Sequence, residues 1–258
     1  MTETERIFFW NRHWAERNFY NLRAHNSLIL SSKKVLGGFP ERNILEVGSG
    51  RAVDSIEMAR RGANCIAVDF SETSFGLSQD IARNSGVKII QCLANAEQLP
   101  FTDGCFNLVF SQGLMEHPTL MKKLLPEQIR VTRPGGFVLI DVPQFFSIQA
   151  MIKWIELKLE KWPYGPEVNF TERELKRITG SLGLEYTTSY GREFAPMVHL
   201  GIRTALSRIR HRGSPPELKN PILEHLPTNM GLITRLELSF IGSMVLNNIG
   251  IIAQKSKA

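Results

Sequence analysis

The sequence predicts an α/β protein built on a doubly wound, mostly parallel sheet of seven strands, and three observations carry that prediction. From Asn43 onward, short apolar runs alternate with helical stretches. The runs are continuously apolar, as in strands covered on both faces, and do not alternate with polar residues. The connections between them are short and turn-rich. The 258 residues suffice for one such domain with additions.

The elements follow in order. Residues 7 to 36 have helical spacing, with Trp10 and Trp14 one turn apart and Phe19, Leu22 and Leu30 on a similar face. This predicts one or two leading helices over residues 1–42, acting as a lid. "GGFPER" breaks the chain, and the core follows over 43–143. Its strands are predicted at Ile44–Val47, Cys65–Asp69, Val87–Cys92, Phe106–Ser111 and Gly136–Val142. Its helices are predicted near Ala52–Arg61, Thr73–Asn84 and Met121–Val131. Residues 144–258 are predicted to cover the substrate site and to complete the sheet. They contain a Trp-rich helical stretch from Phe145 to Tyr164 and a capping box formed by Thr171 and Glu174. A strand near Glu185–Tyr190 and the apolar "MVLNNIGIIAQK" close the sheet, separated by about 50 residues that read as a helical insertion.

Composition bounds the function. The formal charge of +6 favours phosphate-bearing partners or an anionic membrane surface. Cys65, Cys92 and Cys105 show no CxxC spacing and read as reduced thiols. The six histidines form no HExxH or HxxxH pattern, so no protein-held metal is expected. The N-terminus lacks a secretory pattern and no run approaches the roughly 20 apolar residues of a membrane span, so a cytoplasmic location is expected.

In a doubly wound sheet, ligands bind beyond the carboxyl ends of the central strands. Gly48 and Gly50 stand where the first strand meets its helix, and Asp69 follows Gly50 by 19 positions, at the end of the second strand. That spacing lets one ligand touch the turn with its phosphate or amino-acid end and the acid with its ribose. Val53 replaces the third glycine of a dinucleotide fingerprint, which counts against NAD or FAD. Glu46 lies two residues before Gly48, where an acid suits a cationic amino group or sulfonium.

"ILEVGSG", "VDFS", "ANAEQLPF", "FNLVFSQGLMEHP" and "RVTRPGGFVLIDVP" occur in register. The stretch from Asn43 to Pro143 thereby resembles class I S-adenosylmethionine-dependent methyltransferases, in the small-molecule branch that includes quinone-biosynthesis enzymes. Fainter similarity extends over "FTERELKRITGSLGLE" and the closing strand. The resemblance implies S-adenosylmethionine as cofactor, with Glu46, Gly48, Ser49 and Gly50 around its methionine part and Asp69 accepting both ribose hydroxyls. Phe70 would pack on the adenine, and Asn95, with Ala96 and Glu97 beside it, would replace the acid that usually receives the adenine amino group. Ser111 and Gln112 would flank the transferring methyl. Ala52 stands where the family usually has a third glycine, and its methyl fits if the helix has already begun.

Methyl transfer from a sulfonium is an in-line displacement, so alignment dominates and a base is needed only where the acceptor loses a proton. His117 is the candidate base, against a bracing role in its loop. Trp154, Trp162, Tyr164 and Tyr20 are candidates for the acceptor end, with Trp10, Trp14 and Tyr20 in the lid. "GIRTALSRIRHRG" sets Ile202, Leu206 and Ile209 on one stripe and Arg203, Arg210 and Arg212 elsewhere. The expected acceptor is a small-molecule or lipid-like compound, with peripheral contact to an anionic membrane and no nucleic acid. The oligomeric state is not legible, a homodimer being compatible. Two other readings stand beside this one: a catalytically silent partner of another protein, and a nicotinamide-dependent reductase, which lacks here both the third glycine and a Tyr/Lys pair.

Overall fold

A computed structural model describes residues 3–16, 22–193, 223 and 231–257. The helices α1 (Glu3–Glu16) and α2 (Asn26–Leu36) precede β1 (Asn43–Val47). The core continues as α3 (Val53–Arg60), β2 (Asn64–Asp69), α4 (Glu72–Asn84), β3 (Ile90–Leu93), β4 (Phe106–Gln112), α5 (Pro118–Val131) and β5 (Thr132–Pro143). Then come α6 (Ile148–Lys158), α7 (Glu172–Ser181), β6 (Leu184–Arg192), the short α8 (Leu232–Glu237) and α9 (Phe240–Val245), and β7 (Asn248–Lys255).

The sheet order is β3-β2-β1-β4-β5-β7-β6. Strands β1 to β5 run parallel and β7 is antiparallel to both its neighbours. The pleat sorts side chains onto two faces. Leu45, Val47, Val109, Ile140 and Ile251 pack under one layer, while Ile44, Leu108, Phe110, Leu139 and Ile252 pack under the other. This two-sided burial is why the strands read as continuous apolar runs.

Strand order reverses between β1 and β4, with Val47 level with Ser111 on one side and Val68 on the other. The turns after β1, β2 and β4 therefore open at one edge. The Thr171–Glu174 capping box is present, Thr171 accepting from the Glu174 N–H while the Glu174 carboxylate accepts from that of Thr171.

Some boundaries depart from the periodicity. β3 begins three residues later than Val87, and the helix within Phe145–Tyr164 is confined to Ile148–Lys158. Met244 and Val245 belong to α9, not to the closing strand, because Asn248 is the first residue to pair with Pro143. Ala52 precedes α3 in a left-handed conformation, φ 51° and ψ 31°, so the helix has not begun there and the methyl sits where glycine is favoured. Phe19, Tyr20 and the stripe around Ile202, Arg203, Leu206, Ile209, Arg210 and Arg212 lie outside the described residues.

Candidate active site

The switch-point edge opens into a cavity of about 660 Å³. Its floor is the turn after β1. Gly48 has φ +68°, and a β-carbon there would lie 2.5 Å from the Leu114 side chain. Gly50 has φ +50° and faces Trp14 of α1. Both positions thus need glycine for conformation and for space.

Asp69 braces this turn. Its carboxylate accepts from the Gly50 N–H at 2.8 Å and from the Ser71 N–H at 2.9 Å. Burial nonetheless raises its pKa above the ordinary value. Each oxygen retains a lone pair for a hydroxyl donor. Glu46, buried on β1, accepts from Ser55 Oγ at 2.6 Å and lies near Asp54. Burial first, and the Asp54 charge second, push its pKa well above the carboxylate range. Asp54 accepts from His25 N and Gln112 Nε2, at 2.7 and 2.8 Å, and pairs with His25 Nδ1 at 2.7 Å. Burial opposes its charge, but the His25 interactions prevail and lower its pKa. Three carboxyls therefore converge where a cationic ligand would be favoured.

Ser49, Phe70, Asn95, Ala96 and Gln112 also line the cavity. The Arg6 guanidinium lies 5.7 Å from the centre of the Phe70 ring. Asn95 Oδ1 accepts from the Glu97 N–H at 2.9 Å, so the expected acceptor atom already holds its own turn. Neither Glu97 nor Ser111 is among the lining residues. Glu97 turns toward Lys123 at 3.9 Å, and Ser111 is buried within β4, where the pleat gives Gln112 the cavity side.

At the other end, His117 caps α5 through its backbone and lines the cavity beside Glu116. Burial lowers the His117 pKa, against the opposing charge of Glu167, so the ring is neutral at pH 7. Burial raises Glu116 to about 8. Trp162 and Tyr164 line the cavity, and Tyr164 stacks on Trp10 with ring centres 6.0 Å apart and planes 24° apart. Trp154 does not reach it: it is 62% exposed and lies outside the cavity lining. Tyr20 lies outside the described residues.

Sequence reasoning missed His25, Asp54, Gln149, Lys153, Glu167 and Asn169 in the lining. One signal was present: Gln149 and Lys153 recur one turn apart within the otherwise apolar stretch 148–155, which puts both on one helix face without saying which way that face turns.

Comparison with known proteins agrees with this geometry. Residues 45–140 match the methyltransferase domain family. The chain is 24% identical over 163 residues to a ubiquinone biosynthesis O-methyltransferase of Rhizobium etli, covering 60% of this chain and 64% of that one. It is 33% identical over 101 residues to a demethylmenaquinone methyltransferase of Mycobacterium tuberculosis, covering 39% and 41%. The chain thus spans less than two thirds of the length of these relatives. Magnesium protoporphyrin IX methyltransferase from Synechocystis, solved with S-adenosylhomocysteine, shares the fold at TM-score 0.58 and 12% identity, over 98% of this chain and 95% of that one. Over residues 45–140 the α/β core of this chain is therefore similar to methyltransferase domains.

Proposed function

We propose that this chain transfers the methyl group of S-adenosylmethionine to a small-molecule or lipid-like acceptor. The observation that carries this reading is the Gly50–Asp69 bond at 2.8 Å, which ties the glycine turn to the ribose-facing acid on the cavity floor. The absence of β-carbons at Gly48 and Gly50 and the three nearby carboxyls suit a ligand with a cationic amino-acid end. Glu46, Gly48, Ser49 and Gly50 would hold that end, Asp69 the ribose, and Phe70, Asn95 and Ala96 the adenine.

When bound, S-adenosylmethionine supplies an electrophilic methyl on a sulfonium that departs as a neutral thioether. The chain's own work is alignment and exclusion of water, which α1 and the 162–167 loop support by closing over the cavity. His117, neutral at pH 7 and inside the cavity, is placed to accept a proton from an acceptor hydroxyl or amine.

Calorimetric titration tests the cofactor. S-adenosylmethionine is expected to bind and NADH not to bind, with Asp69→Ala abolishing the former. Failure of the wild-type chain to bind S-adenosylmethionine overturns the reading. The outward apolar residues of α6 and the net charge of +6 also support peripheral contact with an anionic membrane. Co-sedimentation with anionic but not neutral vesicles is expected, and equal recovery with both removes that part.

A further inference from the structure

Helix α6 is amphipathic in the inverse sense. Met151, Trp154 and Ile155 face outward, whereas Gln149 and Lys153 face the cavity and Lys153 is buried. A buried ammonium needs a counter-charge. Lys153 Nζ lies 3.1 Å from Glu167 Oε2, with both side chains under a tenth exposed, and stands 5.7 Å from the centre of the Trp162 ring. The charges of this pair match each other.

Among the described residues, six of the cavity lining carry a buried, unpartnered polar atom. Arg6 Nε, near Phe70, and Gln112 Oε1, whose amide bonds Asp54, lie away from that pair, while Glu116 Oε2, Gln149 Oε1, Asn169 Oδ1 and Trp162 Nε1 surround it. These last four share one side of the cavity, and Glu116 as a whole is only 5% exposed. An unsatisfied buried polar atom costs about 1–3 kcal/mol. Four on one wall make a surface that a complementary ligand stabilises. The loop that carries Trp162, Glu167 and Asn169 is anchored there, since the Val168 N–H donates to the Glu116 carbonyl at 2.8 Å and the Phe170 N–H to that of Pro143 at 3.0 Å.

The set consists of two carboxamide oxygens, one carboxyl and one N–H. We propose that this wall is an acceptor-recognition subsite for a neutral compound with at least two free hydroxyls, held by Gln149 and Asn169 as hydrogen-bond acceptors, by Trp162 as donor and by the Glu116 carboxyl, which can do either. The assignment rests on the methyl-transfer reading, because the wall and the glycine turn share one cavity. A carboxylate or phosphate is disfavoured, since it would meet the Glu167 carboxylate and the carboxamide oxygens of Gln149 and Asn169 while Lys153 is already paired. Gln149, Asn169 and Trp162 are specificity residues here, distinct from His117.

The test uses the full chain with S-adenosylhomocysteine present and four probes: catechol, catechol dimethyl ether, myo-inositol and benzoate. Binding is read by calorimetry and by saturation-transfer NMR. Catechol or inositol is expected to bind about tenfold more tightly than the dimethyl ether or benzoate, the equivalent of one buried hydrogen bond. Gln149→Leu and Asn169→Leu should each weaken the hydroxylated probe about tenfold with S-adenosylhomocysteine affinity unchanged. The subsite is overturned if the ether or benzoate binds as tightly, or if neither hydroxylated probe binds. Failure of S-adenosylhomocysteine itself to bind would instead sink the cofactor reading, while the ranking of the probes would still decide the subsite.

Discussion

The indole of Trp14 occupies the space a side chain at residue 50 would need: a β-carbon on Gly50 would lie 2.6 Å from Trp14 Cζ2. Helix α1 is therefore seated on the glycine turn itself. It is held on one side by the Trp10–Tyr164 stack and on the other by Asn11, whose Oδ1 accepts from Ser71 Oγ at 2.6 Å.

Gly50→Ala should consequently fail twice. The left-handed backbone costs an alanine about 1 kcal/mol and the methyl displaces α1. A loss of about 1–2 kcal/mol in thermal unfolding is expected, with at least a tenfold loss of S-adenosylmethionine affinity. Adding Trp14→Ala should relieve the displacement but not the backbone strain, so recovery of stability should be partial.

Ala52 offers the reverse experiment. Its φ of 51° is one that glycine adopts freely, but its methyl is fully buried. Ala52→Gly trades about 1 kcal/mol of relieved strain against a similar loss from burial and chain entropy, and denaturant unfolding should place it within about 1 kcal/mol of the parent. Ala52→Val, branched at Cβ in a left-handed position, should lose at least about 2 kcal/mol.

The Lys153–Glu167 pair is buried on both sides. Lys153→Met leaves Glu167 uncompensated and should cost about 3–5 kcal/mol in urea unfolding. Lys153→Met combined with Glu167→Leu removes both charges and should recover most of that loss. Additive losses would show that the two side chains do not interact.

Glu116 gives a pH dependence with a definite sign. It holds its proton in the native state up to about pH 8 but releases it near the ordinary value of 4.5 when unfolded. Between those values the native chain binds more protons, so stability from this group falls as pH rises. Glu116→Gln removes that fall. The variant should gain on the parent progressively from about pH 5 to pH 8, by on the order of a few kcal/mol, in unfolding curves taken across that range. A constant difference between the two proteins would contradict the assignment.

The sheet was legible in the sequence because two-sided burial leaves its mark along the central strands. Ile44 to Val47 and Phe106 to Ser111 are apolar on both faces, and no distant information is needed to read them. The glycine turn and Asp69 were legible for a similar reason: a tight turn and a strand end fix their separation along the chain. The polar wall around Lys153 was not. Lys153 reads locally as a solvated charge on a helix, and only the fold shows that its face turns inward, toward Glu167 fourteen residues on.

Trp154 marks the same limit from the other side, since an aromatic residue in α6 reads as cavity lining until the helix is docked and its outward face is known. Local sequence thus determined the parallel sheet and the cofactor edge, whose periods and spacings lie within single elements. Tertiary structure alone decided which face of α6 met the cavity, and with it which polar groups were buried without a partner. That choice depends on how helices and loops far apart in the chain close over one another.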